Sequence, residues 1–359
     1  MNNTGVTAPS SSKNRIIELD GLRGLAALSV LLYHYTTRFS EKFSLEQTVS
    51  VFGFKYGHAG VELFFILSGF VIFMTVEKIK SPADFAFKRF LRLYPTFWIC
   101  LFLTFFLVNS FGPGIFHKTM TELMINLTMI PATFSTASID GVCWTLRLEL
   151  VFYLLIFFTM LFKAITKIEY LTCAYLLLLI GLFLYKHFEP TFYLSSLFAV
   201  GINYYIIWKG KSTYFNHLQI LLSLILVLLS KNSERIISST VCYSIFYLFA
   251  YKKAGFFKIG ALVFIGEISY ALYLLHQYIG YSIQLKLIGL GVNNFYLLLI
   301  IPFTISMLLA YVVTFYFERP LLKLITDYRK AKLFKSVSPL DDDALSVANA
   351  HSRSFSNSK

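Results

Sequence analysis

The chain alternates between long apolar runs and short polar connectors. A run of about 17 to 25 apolar residues is long enough to cross a membrane as a helix. Ten such segments lie near 21–39, 60–77, 94–111, 141–163, 168–187, 191–208, 215–230, 235–251, 261–287 and 295–318. A shorter apolar stretch at 119–130 predicts an interfacial or re-entrant helix. The pattern therefore predicts an all-α fold, a polytopic membrane helix bundle of about ten transmembrane helices.

Positive charge is distributed unevenly among the connectors. Alternate connectors and the chain after the last segment are rich in Lys and Arg: Lys13, Arg15, Lys78, Lys80, Lys88, Arg89, Arg92, Lys163, Lys167, Lys209, Lys211, Lys252, Lys253, Lys258, Lys323, Arg329, Lys330, Lys332 and Lys335. The opposite connectors hold fewer. Because cytoplasmic loops carry the excess of Lys and Arg, the asymmetry predicts that both termini are cytoplasmic.

The composition excludes an ordinary soluble domain. Of the 359 residues, 57% are hydrophobic and only 14% are charged, and the mean hydropathy is +0.65. A soluble protein of this size carries far more charge. The net charge of +13 lies in the connectors, so it indicates membrane orientation rather than nucleic-acid binding. The four cysteines are scattered through apolar stretches, which predicts packing roles and no metal site.

The two ends of the chain are polar. Residues 1–14 contain no apolar core, so they predict a disordered cytoplasmic N-terminus rather than a cleavable signal peptide. Residues 15–322 form the predicted membrane domain. Residues 323–359 begin with a short basic, helix-like stretch and continue into an Asp run and a Ser/Asn-rich end. This composition predicts a cytoplasmic tail that is mostly disordered.

The first predicted helix carries two unusual polar residues, Arg23 and His34. Ten residues lie between them, and the eleven helical steps from one to the other cover roughly 16 Å and about three full turns, so both project from similar faces. A cation and an imidazole in a membrane helix usually face a protein interior or a water-filled cavity. The alternative is that Arg23 extends to the membrane surface while His34 is a packing residue.

A second group of polar residues lies at the predicted cytoplasmic side. Arg89 and Arg92 are spaced i, i+3, and they share a face at the predicted start of the third spanning helix. Glu318 closes the last predicted helix on the same side. Together with Arg23, the arginines predict a basic cytoplasmic mouth suited to phosphates, which guanidinium groups bind bidentately. The alternative is that these charges only set the orientation in the membrane.

A third group falls in the predicted outer half of the bundle: His34, Glu62, Trp144, Glu149 and His276. A buried carboxylate near a histidine raises the basicity of the imidazole and orients it as a general base. The sequence therefore predicts Glu149 as a candidate partner of the histidines. The alternative is a structural ion pair of Glu149, either with Arg147, which lies two positions away and so points to another side of the helix, or with a group on another helix.

Small and aromatic residues complete the set of candidates. Ser68 and Gly69 permit close approach of helices, so packing is the favoured interpretation for both. Tyr270 and Tyr273 follow Ser269 in the ninth predicted segment. They can line a cavity or lie at the membrane interface, and the pattern leaves both interpretations open.

Six blocks of these residues occur in a fixed order along the chain. They are Arg23 with ten residues to His34, the run Gly-Val-Glu-Leu-Phe-Phe-Ile-Leu-Ser-Gly-Phe from residue 60, Arg89-x-x-Arg92, Trp144-Thr-Leu-x-x-Glu149, Ser-Tyr-Ala-Leu-Tyr-Leu-Leu-His276 and Phe-Glu-Arg-Pro at 317–320. Taken together, the blocks resemble the acyltransferase-3 family, integral membrane O-acyltransferases that modify surface glycans. The resemblance depends on all six blocks in this order and not on any single one.

The resemblance implies an acetyltransferase in a multi-pass bundle of the bacterial inner membrane. Acetyl-CoA would be the acyl donor substrate, with no permanently bound cofactor. A surface glycan, free or lipid-linked, would be the acceptor, namely lipopolysaccharide O-antigen or another exported polysaccharide. Membrane lipids would surround the bundle, nucleic acid is not expected as a partner, and the oligomeric state is left open.

The resemblance also implies roles for individual residues. His34 would be the catalytic histidine, and Arg23, Arg89 and Arg92 would bind the phosphates of the donor. Glu149 would lie in the acyl-transfer cavity. The supporting residues of that cavity would be Trp144, Tyr270, His276, Glu62 and Glu318.

Two questions stay open at the level of the sequence. His34 can act as a general base on the acceptor hydroxyl or as a transient acyl carrier. A polytopic glycan or lipid transporter without acyl-transfer chemistry is the main alternative function, and a membrane sensor or scaffold is a second. A transporter predicts no dependence on acetyl-CoA, and a sensor predicts tolerance of the substitution His34→Ala.

Overall fold

The apolar runs of the sequence form helices, because a helix satisfies its own backbone hydrogen bonds where water is absent. The computed structural model describes residues 15–43, 53–79, 81–186 and 190–337. Within these ranges the chain forms helices and turns but no β-strand, which confirms the all-α class. The predicted disordered segment at 1–14 lies outside the described residues.

The described residues form α-helices that are joined by turns and short 3₁₀ segments. They are α1 Ile17–Tyr33, α2 Phe39–Phe43, α3 Ala59–Val76, α4 Pro82–Phe111, α5 Met120–Asn126, α6 Trp144–Leu161, α7 Ile168–Lys186, α8 Pro190–Trp208, α9 Tyr214–Leu228, α10 Ser233–Ala250, α11 Gly260–Gly289, α12 Phe295–Val312 and α13 Arg319–Val337. Two π-helical segments prolong helices: His34–Arg38 joins α1 to α2, and Val313–Glu318 joins α12 to α13.

Each of the ten predicted spanning segments coincides with one of the long helices, and the short stretch at 119–130 contains α5. Six helical stretches among the described residues are long and apolar enough to cross a membrane: Lys55–Val76, Pro82–Phe111, Gly141–Leu161, Ile165–Tyr185, Gly260–Gly289 and Phe295–Arg329. These six support a membrane protein. The count of ten spans and the cytoplasmic position of both termini stay predictions.

The third spanning helix begins earlier than the apolar pattern indicates. It was predicted over 94–111, whereas α4 begins at Pro82, with Ser81 in an extended conformation before it. Proline suits the first helical position because its φ angle is already fixed near the helical value and its missing N–H has no partner there. Arg89 and Arg92 therefore lie inside α4 rather than at its start.

Helices α1 and α11 pack so closely that their backbones touch. A Cβ atom added at Gly24 would lie 1.9 Å from the carbonyl oxygen of Leu262, and one added at Gly266 would lie 1.9 Å from the carbonyl oxygen of Asp20. Only glycine permits this approach, which is a common device for packing membrane helices. The contact sets α1 and α11 side by side.

Helices α3 and α8 meet in the same way. A Cβ at Gly69 would lie 2.1 Å from the carbonyl oxygen of Phe198, and one at Gly201 would lie 2.1 Å from that of Ile66. The packing role predicted for Gly69 is therefore confirmed. Helix α3 also contacts α1, since a Cβ at Gly60 would meet the carbonyl oxygen of Ala26 at 2.2 Å.

The chain divides into two units, Met1–Tyr311 and Val312–Lys359. In the second unit, the π-helical segment Val313–Glu318 continues into α13. The predicted tail thus starts with a helix that reaches Val337, as its basic, helix-like beginning suggested. The rest of that tail, 338–359, lies outside the described residues.

Candidate active site

Two histidines face each other between α1 and α11. Nδ1 of His34 lies 3.2 Å from Nε2 of His276, and the ring centres are 4.9 Å apart in an edge-to-face arrangement. Nδ1 of His34 also lies 2.8 Å from the carbonyl oxygen of Val30. Nδ1 of His276 lies 2.8 Å from the carbonyl oxygen of Tyr273 and 3.2 Å from that of Leu272. We refer to His34 and His276 as the histidine pair.

His34 begins the π-helical segment that follows α1. A π-helical turn contains one more residue than an α-helical turn, and such turns are frequent at functional sites. The hydroxyl of Thr36 donates to the carbonyl oxygen of Leu32 at 2.7 Å, so a side chain satisfies part of the altered hydrogen-bonding pattern. The irregular turn therefore places His34 where α1 stops being a regular helix.

Aromatic side chains enclose the histidine pair. The buried hydroxyl of Tyr35 donates to the carbonyl oxygen of His276 at 2.7 Å and lies 2.7 Å from Oγ of Ser306. The ring of Tyr281 lies 6.3 Å from that of His34, centre to centre. Tyr35 thus links α1 to the backbone that carries His276. His276 itself is 1% exposed, so its position is determined by packing.

Tyr270 and Tyr273, whose place the sequence left open, both contact candidate site residues. The ring of Tyr273 lies 5.8 Å from that of His276, and its hydroxyl lies 3.0 Å from Oγ1 of Thr145. The ring of Tyr270 packs on the guanidinium of Arg92, with 5.4 Å between Cζ and the ring centre. Of the two interpretations, the structure favours a position inside the bundle.

The three candidate arginines gather at the other end of α1. The charged neighbours of Arg23 include Arg92 and Glu149, and Tyr153 lies beside them. Cζ of Arg89 lies 5.8 Å from the ring centre of Tyr153. We call these five residues, Arg23, Arg89, Arg92, Glu149 and Tyr153, the arginine cluster. The structure therefore brings together all three side chains predicted for the donor phosphates.

One atom of this cluster has no partner. Nε of Arg89 is buried and makes no hydrogen bond among the described residues. The guanidinium packs between rings instead, with Cζ 5.6 Å from the ring centre of Phe85. Buried polar groups are nearly always hydrogen-bonded, so this guanidinium nitrogen is an unsatisfied donor for which an acceptor such as a phosphate oxygen is a suitable partner.

Glu149 belongs to the arginine cluster and not to the histidine pair. Its carboxylate accepts hydrogen bonds from the hydroxyl of Tyr153 at 2.5 Å and from Oγ of Ser68 at 3.1 Å. Among the described residues it contacts neither His34 nor His276. The sequence predicted a carboxylate beside a histidine, whereas this carboxylate interacts electrostatically with the guanidinium of Arg23. The geometry thus indicates that Glu149 orders the arginines.

The two groups of residues are stacked along the same pair of helices. On α1, Arg23 precedes His34 by roughly 16 Å of helix, and on α11, Tyr270 precedes His276 by roughly 9 Å. Because Tyr270 packs on Arg92 and His276 packs on His34, the two helices run past both groups in the same direction. Phosphate-binding chemistry and acid–base chemistry therefore occupy different levels of one helix pair.

The structure gives the positions of three other predicted supporting residues. Glu62 is 2% exposed and accepts from Oγ of Ser239 at 2.7 Å and of Ser238 at 3.1 Å, so it joins α3 to α10 rather than to the histidine pair. Trp144 begins α6 and is 43% exposed, and its supporting role in the cavity stays a prediction. Glu318 belongs to the second unit, where it ends the π-helical segment.

The sequence analysis missed two residues near these groups. Tyr153 lies one helical turn after Glu149, a spacing at which side chains on a helix meet, so the pattern contained a usable signal. Asp140 is buried and accepts the backbone N–H groups of Tyr278 and Val142 at 3.0 and 3.1 Å. Burial raises the pKa of Asp140 to about 6, against these two hydrogen bonds, which lower it.

The chain matches a known family over most of its length. The family model described as an acyltransferase domain covers residues 16–319. That range contains the whole of the histidine pair and the whole of the arginine cluster. The match therefore includes both groups of residues that the structure assembles.

Individual relatives are more distant. ORF330 of Acidianus two-tailed virus, a candidate acetyltransferase, is 25% identical over 74% of this chain and 83% of its own length. The O-acetyl transferase of Shigella phage Sf6 is 30% identical over 38% of this chain and 43% of its own length. The exopolysaccharide production protein ExoZ of Rhizobium meliloti is 28% identical over 28% and 33%. The chain thus matches less than half of the length of the last two, and no solved structure matches it significantly.

Proposed function

The chain belongs to the acyltransferase family whose model matches residues 16–319, and on this premise we propose that it is a membrane O-acetyltransferase. The acetyl group would come from cytoplasmic acetyl-CoA, and a hydroxyl of a surface glycan would receive it. The observation that carries the proposal is the stacking of the arginine cluster and the histidine pair along α1 and α11.

This arrangement suits a CoA thioester. In acetyl-CoA a long, flexible pantetheine arm separates the phosphates from the thioester, so one donor molecule can engage two groups of residues at different levels. The guanidinium groups would hold the phosphates, and the unpaired Nε of Arg89 supports this role. The thioester carbonyl would then lie beside His34.

The chemistry at His34 is an acyl transfer. His34 would remove the proton from the acceptor hydroxyl while the hydroxyl oxygen bonds to the thioester carbonyl carbon. The carbon–sulfur bond then breaks, and the CoA thiolate leaves and receives the proton. In the alternative path, the imidazole carries the acyl group before the hydroxyl does. Trapping of an acetyl-histidine after rapid quenching would support the alternative path.

For the acceptor, we propose lipopolysaccharide O-antigen or another exported polysaccharide, free or lipid-linked, at the bacterial inner membrane. The names of two relatives support this class, namely a phage O-acetyl transferase and an exopolysaccharide production protein. The six membrane-spanning candidates agree with an acceptor that is reached at a membrane.

The direct test uses membranes that contain the wild-type protein or the variant His34→Ala. They are supplied with acetyl-CoA labelled in the acetyl group and with surface-glycan extract. We expect label in the glycan with wild type and a loss on the order of 100-fold or more with His34→Ala, since a positioned general base contributes about that much. His217→Ala is the matched control, because His217 contacts Tyr247 far along the chain from both site groups.

The outcomes separate the rival functions. Equal labelling with wild type and His34→Ala would remove His34 from the chemistry. No labelling with either protein, together with no binding of CoA, would favour the transporter without acyl-transfer chemistry. Labelling that depends on His34 but not on glycan extract would show transfer to a different acceptor.

A further inference from the structure

The contacts of the histidine pair determine where its protons lie. A neutral imidazole has one N–H donor and one nitrogen that only accepts. In His276, Nδ1 lies within hydrogen-bond distance of two carbonyl oxygens, those of Tyr273 and Leu272. A carbonyl oxygen cannot donate, so Nδ1 of His276 carries the proton. Its Nε2 is then the accepting nitrogen.

The imidazole of His34 also carries its proton on Nδ1. Nδ1 of His34 lies 2.8 Å from the carbonyl oxygen of Val30, so this nitrogen also carries a proton. It lies 3.2 Å from the accepting Nε2 of His276, which gives its N–H two acceptors. Nε2 of His34 therefore keeps its lone pair, and it has no hydrogen-bond partner within the described part of the chain.

We propose that His276 is a positioning residue that, together with the carbonyl oxygen of Val30, holds the tautomer and orientation of His34, so that Nε2 of His34 is the nitrogen that reacts. This inference rests on the proposed acyl transfer. It names the reacting atom and gives His276 the task that a carboxylate has in a Ser-His-Asp triad, which is to hold the imidazole in the correct tautomer and orientation. Glu149 does not take this task, because its contacts lie in the arginine cluster.

The arrangement also accounts for the proton that His34 gains during transfer. When Nε2 accepts the proton of the acceptor hydroxyl, the ring becomes an imidazolium with an N–H at both nitrogens. The Nδ1–H then makes charge-assisted hydrogen bonds to Nε2 of His276 and to the oxygen of Val30. Nε2 returns its proton to the leaving thiolate, and the pair regains its starting state. If the acyl group is carried on the ring, it is carried on Nε2.

Neighbouring contacts keep the second ring in place. The hydroxyl of Tyr35 donates to the carbonyl oxygen of His276, and Tyr35 packs so tightly on α11 that a Cβ at Gly280 would meet its hydroxyl at 2.4 Å. His276 is thus fixed by packing as well as by its own hydrogen bonds. A ring held in this way can orient its partner without itself touching the substrate.

The test reads the tautomer directly in the full-length protein. Histidine labelled with ¹⁵N distinguishes a protonated from an unprotonated ring nitrogen by its chemical shift, and the spectrum of His34→Ala identifies the His34 signals. We expect a protonated Nδ1 and an unprotonated Nε2 in the wild type. In His276→Leu we expect the second tautomer of His34 to become detectable beside the first, because only Val30 then accepts from Nδ1–H. His276→Gln should preserve the first tautomer alone, since its amide oxygen can accept from Nδ1–H.

Kinetics with labelled acetyl-CoA form the second measurement. We expect kcat of His276→Leu to fall by about 10- to 100-fold, less than the roughly 10⁴-fold of a triad that loses its orienting carboxylate, because Val30 still accepts from Nδ1. KM for acetyl-CoA should stay unchanged, and His276→Gln should recover most of kcat. His217→Leu is the matched control for replacing a histidine.

Each result decides the proposal. An unprotonated Nδ1 in wild-type His34 would overturn it, and so would an unchanged tautomer and kcat in His276→Leu. A His276→Gln protein that keeps the tautomer but not kcat would also contradict it, because His276 would then act by another route. If the wild type transferred no acetyl group at all, the proposed function would fail while the ¹⁵N spectrum still reported the tautomer.

Discussion

The histidine pair and the arginine cluster lie on the same helices but differ in how far their hydrogen bonds are satisfied. Among the described residues, three of the four ring nitrogens of the histidine pair have partners, and Nε2 of His34 is the one that is left. The arginine cluster gathers three guanidinium groups and the carboxylate of Glu149, and the carboxylate of Asp20 also acts on Arg23. Nε of Arg89 is buried and has no hydrogen-bond partner in the part of the chain that the structure describes.

The difference indicates which region is complete before the donor binds. Arg23 and Arg92 are like charges close to each other in a membrane interior, which is unfavourable, so the arginine cluster gains stability when an anion enters it. The histidine pair needs no ligand to adopt its geometry, since protein atoms alone orient the rings. The donor site thus depends on its ligand, whereas the reacting group is already oriented.

The largest expected effect separates the two regions. Arg89→Ala should weaken CoA binding by about 10- to 100-fold, because charge-assisted hydrogen bonds contribute about 1.5 to 3 kcal/mol. His34→Ala should bind CoA as the wild type does, since the ring lies at the other level. Isothermal titration of the protein in lipid nanodiscs measures both affinities.

Lys88→Ala provides the control for Arg89→Ala, because Lys88 is the preceding residue of α4 and is exposed. Its substitution removes one positive charge from the helix without touching the cluster. If Arg89→Ala and Lys88→Ala weakened CoA binding equally, general charge rather than the cluster would account for the affinity. Loss of CoA binding in His34→Ala would show that the two regions are one site.

A smaller effect is expected for Glu149→Gln. The amide can still accept from Tyr153 and Ser68, but the cluster loses its carboxylate, so the repulsion among the arginines increases. The free energy of unfolding should fall by about 1 kcal/mol, and CoA should bind about fivefold more tightly. Thermal unfolding with and without CoA measures both effects. A loss of kcat with unchanged CoA affinity would instead indicate that Glu149 has a catalytic role.

The smallest effect concerns the ring of Tyr153, on which Arg89 packs. Tyr153→Leu removes a cation–π contact and should weaken CoA binding by about two- to threefold. Tyr153→Phe keeps the ring and should bind CoA as the wild type does. The same titration compares the two variants. An equal loss in both would point to the hydroxyl and its hydrogen bond to Glu149 rather than to the ring.

The sequence predicted the helices well because long apolar runs leave little choice of structure. All ten predicted segments coincide with helices, and Arg23 and His34 both face the bundle interior formed with α11. The start of α4 was wrong because the charges between 82 and 93 resemble a connector. Ser81 and Pro82 are typical of a helix start, and they indicate the beginning of α4 better than the charged residues do.

The partners of the site residues could not be predicted in the same way. Apolar residues surround helix α6 without forming a distinct apolar face, so its pattern does not indicate which face points inward. Trp144 is accordingly exposed on this helix, while Glu149 faces the arginines. The contact between His34 and His276 joins residues 242 positions apart and depends on how α1 and α11 pack, which no local pattern encodes.

The backbone contact at Gly24 and Gly266 has a consequence for donor selection. Two helices whose main chains touch cannot slide past each other. The distance from the arginine cluster to His34 is therefore fixed. A CoA analogue with a shortened pantetheine arm would therefore anchor by its phosphates yet hold its carbonyl out of reach of Nε2. Such a molecule would compete with acetyl-CoA without being consumed.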